Sequence, residues 1–218
     1  MLDRAAVAAG LLYGSSAAVL LVARSWQQKR ATGSSGFRGL TGMRSGRADR
    51  LAGLSFGTAV VAGLASPVLA VLDRLPVANC SARAVRAGAA AAVGGIVLAS
   101  LAQQTMGDSW RIGVDPTERT VLVTDGVFAF VRNPIFTAMV AVQAGTAVMA
   151  PTWLSVSGAA ALVLACQVQT RYVEEPYLRR THEDAYLTYA GRTGRFVPAL
   201  GRLQGSDEGW PRSAADQA

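Results

Sequence analysis

The sequence is short of charge. Only 16% of its 218 residues are Asp, Glu, Lys or Arg, where a soluble domain carries about a quarter. Aromatic residues are scarce at 7%, and His182 is the one histidine. There are two cysteines, Cys80 and Cys166, which cannot build a disulfide framework. Without a CxxC pair or a His/Cys cluster the sequence offers no ligand set for a structural metal. These shortages exclude a water-bounded core, a disulfide-stapled secreted domain and a zinc module.

Apolar residues are abundant at 51%, and they come in runs. Residues 5–23, 51–72, 84–102, 135–150 and 152–169 reach or approach the roughly 18–20 residues that cross a bilayer as helix. Pro151 alone separates the last two runs, which predicts a tight helical hairpin. The fold expected is an all-α integral-membrane bundle of about five transmembrane helices. A short cytoplasmic hairpin or loop and a C-terminal interfacial helix complete it. Residues 1–218 read as one membrane domain, with N-terminal spans over 1–103, a cytoplasmic-rim region over 104–198 and a disordered tail over 199–218. The first run lacks a basic leader and precedes a strongly basic loop, so it reads as a retained span and not as a cleaved signal. Cys80 then falls in a short outer loop and Cys166 within the fifth span, which separates them.

The net charge of +7 is placed asymmetrically. Loop 24–50, segment 104–133 and the tail after Gln169 hold seventeen Lys and Arg between them, and with five spans they share one side; the other side holds four. The positive-inside rule puts the N-terminus outside and the C-terminus in the cytoplasm, in the plasma or inner membrane. This placement explains the charge through topology and contact with membrane lipid, and argues against nucleic acid as a partner. The stretch "ATGSSGFRGLTGMRSGR" reads as a flexible basic loop and lacks the Gly-Lys-Ser/Thr ending of a phosphate-binding loop. Gly10/Gly14 and Gly53/Gly57 have the small-xxx-small spacing that lets helices approach closely.

Chemistry gathers at the mouth of the fourth run. In "TVLVTDGVFAFVRNP", two apolar arms flank Asp125-Gly126, which predicts a β-hairpin over residues 120–131. Asn133 is suited to cap the next helix and Pro134 to begin it. The backbone N–H groups of Ile135, Phe136 and Thr137, with Arg132 beside them, would then offer a seat for an anion. At the end of the fifth run, "QTRYVEEPYLRR" puts Glu174 and Glu175 where a helix dipole disfavours carboxylates, and Pro176 predicts that one helix stops and another starts. A hairpin of the last two runs brings these ends together, as a dipolar site for a ligand with both a carboxylate and a positive charge. On the C-terminal helix, His182, Tyr177, Tyr186 and Tyr189 read as interfacial side chains.

"GVFAFVRNPIFTAM", followed after a helical hairpin by "EEPYLRRTHEDAYLTYAGRTGRFVP", resembles the isoprenylcysteine carboxyl methyltransferase family and its phospholipid-methyltransferase-like relatives. The resemblance covers residues 120–198. Its pattern is an Arg-His-Pro-x-Tyr-x-Gly helix start, then Glu-Glu, then Gly-x-x-Tyr-x-x-Tyr ending in Pro. Here Asn133 replaces the His, Phe136 the Tyr, Ala138 the first Gly and Glu183 the second. The resemblance implies S-adenosylmethionine as cofactor, held by Thr120, Val121, Leu122, Val123, Phe128, Asn133, Pro134, Ile135, Phe136 and Glu174, with Arg132 and Glu175 completing the site. Tyr186 matches the first tyrosine of the pattern, and Arg171 lies one residue from the family's substrate-facing arginine. The activity implied is methyl transfer to a lipophilic or lipid-linked acceptor bearing a carboxylate, thiol or amine. An NADPH-dependent sterol-reductase-like enzyme, which shares a similar helix start but lacks Glu-Glu, and a non-catalytic membrane scaffold are the alternatives.

Overall fold

The computed structural model describes residues 2–23, 25–26, 29–30, 47–107 and 121–203. Among them the chain is all-helical. α1 (Leu2–Ala17) continues as a π-helical segment, Ala18–Ala23; α2 (Arg47–Val71), α3 (Ala82–Met106), α4 (Pro134–Met149) and α5 (Trp153–Val168) follow. A second π segment, Gln169–Glu174, leads into α6 (Glu175–Arg192). The five apolar runs are therefore helices. Arg50–Val71, Ala82–Met106 and the stretch beginning at Trp153 are long and apolar enough to cross a membrane, while Arg4–Leu20 and Pro134–Met149 are shorter. At 16 residues, α4 spans roughly 24 Å of a hydrocarbon core about 30 Å thick.

The interior is built from small residues and the outside from large ones. Ala6, Ala9, Ala59, Ala92, Ala99, Ala138 and Ala165 are buried, whereas Leu54, Val61, Leu64, Val93, Val97, Val156 and Val163 are exposed. In water this arrangement would be inverted; in lipid, large side chains face acyl chains and small ones let helix backbones pack. α3 packs along α4 and α2 along α5, and α1 lies against α2 and α4. α3 and α4 meet backbone to backbone at Gly88 and Gly145, where a Cβ on either would come 2.5 Å from the other's carbonyl oxygen. Gly95 stands similarly against Ala138 of α4. The spaced pairs in the first two runs do not serve this purpose at Gly14 and Gly57, around which nothing lies within 4 Å.

The turns are specified locally. Ser81 caps α3 by accepting from Ala84 N at 3.2 Å. Thr152 and Ser155 form a reciprocal capping box at the start of α5, each backbone N–H donating to the other's hydroxyl at 3.0 Å. Both cysteines are free thiols. The basic loop lies largely in residues 31–46, outside the described residues; at its entry the Arg30 guanidinium sits 3.5 Å over the Trp26 ring.

The expected β-hairpin does not form. Residues 121–124 belong to no helix or strand, Asp125 is extended, and Gly126–Ala129 is a short 3-10 turn. Phe128 N donates to Asp125 O at 3.0 Å and Phe130 N to Val127 O at 3.3 Å, so the second arm directs these N–H groups to its own carbonyls. Val131 instead makes an isolated parallel bridge with Gly194 from beyond α6. Nor does Pro176 break the chain: Glu175 keeps helical angles of φ −60 and ψ −42. The wider π turn before it eases the clash between a proline ring and the carbonyl four residues back.

The α3–α4 contact yields a stability test. Gly145→Ala must force two backbones apart and should lower thermal stability by about 1–3 kcal/mol. Gly94→Ala, on α3 with nothing within 4 Å, should leave the melting temperature unchanged or slightly raised, since alanine favours helix. Equal losses in the two variants would refute the close crossing.

Candidate functional site

The mouth of α4 is organised by a buried arginine. Arg132 is 6% exposed. Its Nη2 donates to Glu175 Oε1 at 2.8 Å and to Gly201 O at 3.0 Å. Its Nη1 donates to Ala190 O at 3.0 Å and to Thr193 O. Arg195 takes the rest of the Glu175 carboxylate, with Nε on Oε1 at 2.7 Å and Nη2 on Oε2 at 2.9 Å. A single carboxylate is thus held between two guanidiniums, with backbone carbonyls accepting from both terminal nitrogens of Arg132 while its Nε has no partner. Charge buried in this way is tolerable because the carboxylate and both guanidiniums are paired.

One guanidinium touches both ends of α6, which fixes that helix's shape. Glu175 begins α6 and Ala190 lies near its end; a straight helix would hold them roughly 22 Å apart. The chain therefore folds back, and the vertex is Glu183, whose φ of 46 and ψ of −124 depart from helix. L-residues with side chains rarely adopt such angles. The family pattern places glycine at this position, and the geometry shows why. Both ends of the folded helix gain electrostatically: Glu175 lies in its first turn and Arg132 meets its last carbonyls.

The segment after α6 closes over the start of α4. Arg132 N donates to Gly194 O at 2.8 Å, and Asn133 N to Arg195 O at 3.1 Å. Asn133 stands at the N-cap position but does not cap; its Nδ2 donates to the same Arg195 carbonyl at 3.1 Å. Thr137 N donates to Asn133 O, and Thr137 Oγ1 to Phe196 O at 2.7 Å. Of the three N–H groups expected to be open, only those of Ile135 and Phe136 remain as first-turn donors without an intrahelical acceptor. Residues 199–203, assigned to the tail from sequence, are held here, with Leu203 N donating to Ala190 O at 3.0 Å.

The other candidates are distributed as follows. Leu122 packs against Tyr186, Tyr189 and Ala190, while Val121 is exposed and Val123 half-buried. Phe128 is buried, and its carbonyl accepts from the Tyr189 hydroxyl at 2.7 Å. Pro134 is buried and Ile135 half-buried. Phe136 turns into the bundle, 5.9 Å from the Phe56 ring, in a cluster with Leu162 and Cys166. Glu174 is half-buried, joined to Gln169 by a side-chain hydrogen bond, and forms no ion pair among the described residues. Arg171 is exposed on the π segment, its Nε donating to Gln167 Oε1 at 2.9 Å. Thr120 lies outside the described residues.

Burial and pairing bear on several roles. Arg132 has both terminal nitrogens engaged by the protein and so ties α4 to α6. Tyr177, Tyr186 and Tyr189 are buried, at 8%, 1% and 5% exposure, and are not interfacial anchors. The fold-back of α6 presses Tyr186 and Tyr189 against the segment before α4. Arg195 and Thr137 escaped the sequence reading because an arginine in a basic tail and a threonine in an apolar run carry no local signal. Thr170, fully buried in the π segment with its hydroxyl unpartnered, escaped for the same reason.

An amino acid head group joined to a sulfonium requires donors for its carboxylate and a carboxylate for its cationic atoms. The first-turn N–H groups of Ile135 and Phe136 and the unpaired Glu174 meet those two requirements. The donor set fits S-adenosylmethionine, with Arg132 as its support.

Two substitutions test this arrangement. Glu175→Ala leaves two arginines without their carboxylate and should cost about 3–5 kcal/mol of stability, whereas Arg171→Ala, on an exposed side chain, should cost less than about 0.5 kcal/mol. Glu183→Gly relieves a positive φ and should raise stability by roughly 1 kcal/mol, the strain less glycine's added chain entropy. A lower melting temperature for Glu183→Gly would refute the fold-back geometry.

No curated protein and no solved structure matches the chain. Residues 84–185 match the family model for phospholipid methyltransferase, a stretch that runs through α3, α4, α5 and the vertex of α6 and so includes the mouth of α4 and both glutamates.

Proposed function

We propose that this chain is an integral-membrane methyltransferase that uses S-adenosylmethionine to methylate a lipophilic acceptor. The observation that carries this reading is a coincidence of two kinds of evidence: the residues matching a phospholipid methyltransferase model are those whose helix ends Arg132 and Glu175 tie into one site. In the orientation expected from the charge distribution, that site lies at the cytoplasmic rim, where a water-soluble cofactor and a bilayer-held acceptor can meet. The family description names phospholipid, which supports an acceptor taken from the membrane; a lipid amine, an isoprenyl-type carboxylate and a thiol share that lipophilicity.

When bound, the cofactor supplies a methyl group activated by its sulfonium. The protein orients. The N–H groups of Ile135 and Phe136 would hold the cofactor's carboxylate, and Glu174 would hold its cationic head group. Phe128 and Leu122, braced by Tyr189 and Tyr186, form an apolar wall that excludes water. The chemistry the cofactor would supply is an in-line displacement at that methyl group. Such a displacement depends on alignment and dehydration more than on an acid or base, which suits a site assembled without histidine.

The test is binding of labelled S-adenosylmethionine to purified protein in detergent, with NADPH as competitor. Saturable binding that NADPH does not displace is expected. Glu174→Gln should weaken it on the order of tenfold or more, the value of a charge-assisted hydrogen bond. Folded protein that binds no S-adenosylmethionine would overturn the proposal.

A further inference from the structure

α2 contains a proline, Pro67, in its interior. Proline has no N–H, so the carbonyl four residues back, that of Gly63, loses its intrahelical donor. Within a bilayer a freed carbonyl needs another partner, because no solvent is at hand. Gly63 and Pro67 line a small cavity together with Ala9 of α1, Gln143 and Thr146 of α4, and Ser66 and Ser155.

The polar groups of this cavity can be accounted for one by one. Gln143 is 2% exposed. Its Nε2 donates to Ala59 O at 3.4 Å, but its Oε1 has no partner. Ser66 is 1% exposed, and its hydroxyl is 2.7 Å from that of Thr152. Thr152 Oγ1 also accepts from Ser155 N at 3.0 Å, and either hydroxyl of the Ser66–Thr152 pair can donate to the other. With Thr152 as the donor, the Ser66 proton is left over. Thr58 and Ser100 donate to carbonyls four residues back, at 2.8 Å each; Ser66 makes no such bond among the described residues. In that arrangement the cavity offers one unpartnered acceptor, Gln143 Oε1, one donor, the Ser66 hydroxyl, and the lining residue Gly63, whose carbonyl the proline has freed.

We propose that this cavity binds one structural water, which donates to Gly63 O and Gln143 Oε1 and accepts from Ser66. A water has two protons and two lone pairs, so three such bonds match the number a buried water usually makes. The cavity volume of about 10 Å³, counted at the centre of a water-sized sphere, admits one water and no larger ligand. The Tyr13 ring lies against Gly63 and Gly10 against Pro67, so α1 covers the site from one side. The water joins α2 to α4 at the point where the proline interrupts α2, and it is independent of the methyltransferase reading.

The experiment is water-to-protein NMR on the full chain in nanodiscs, with the glutamine side-chain amides labelled. A cross-peak between water and the Gln143 amide protons, with the sign of a long-lived complex, is expected in the unaltered protein. It should be lost in Ser66→Ala, which removes the donor but little volume. A protected, assigned Gln143 amide without that cross-peak would show a dry cavity and overturn the proposal. A cross-peak unchanged in Ser66→Ala would overturn the three-bond arrangement.

Discussion

The buried carboxylate of Glu175, held between Arg132 and Arg195, is the contact on which the cytoplasmic end of this protein depends. Each of its partners comes from a different part of the chain: the entry to α4, the first turn of α6 and the segment after α6. Arg132 also receives the carbonyls at the far end of α6, so the ion pair determines the shape of that helix as well as its position. Charge is costly to bury, and the cost makes the arrangement selective. Few alternative packings would satisfy both guanidiniums and the carboxylate at once.

From that tie follows the geometry of the mouth of α4. The α6 fold-back brings Tyr186 and Tyr189 over residues 121–133, and residues 194–196 lie along the α4 entry. Among the described residues, two first-turn N–H groups lack an intrahelical acceptor and the Glu174 carboxylate lacks an ion pair. The bundle beneath is held differently, by glycines that let α3 and α4 touch backbone to backbone and by a proline-interrupted α2 whose Gly63 and Pro67 line a small polar cavity. The protein thus combines a lipid-facing body of small-residue contacts with a rim stabilised by ion pairs and carbonyls.

Much of the fold was legible in the sequence because long apolar runs have one stable solution in a bilayer. A helix satisfies its own backbone, and nothing else available to a single segment does. Pro151 between two runs specified the α4–α5 hairpin, and that hairpin placed Arg132 beside Glu175. The hairpin expected around Asp125-Gly126 was illegible because alternating apolar residues suit a strand only when a partner edge is present; here Gly194 and the local carbonyls claimed the backbone groups. The tyrosines of α6 misled in a similar way, since an amphipathic ring reads as an anchor until the helix bearing it folds back.

Residue types and their order were enough to determine the all-α membrane class and where its apolar helices lie, because both rest on local chemistry: hydropathy and the backbone's need to satisfy itself in lipid. Only the tertiary structure decided which charges pair with one another and which stay without an ion pair among the described residues. Arg132, Arg195, Glu174 and Glu175 are alike in the sequence as charges near a membrane surface. Their roles diverge through contacts between segments twenty or more residues apart, and burial then makes pairing obligatory for Glu175, while Glu174 has no ion pair among the described residues.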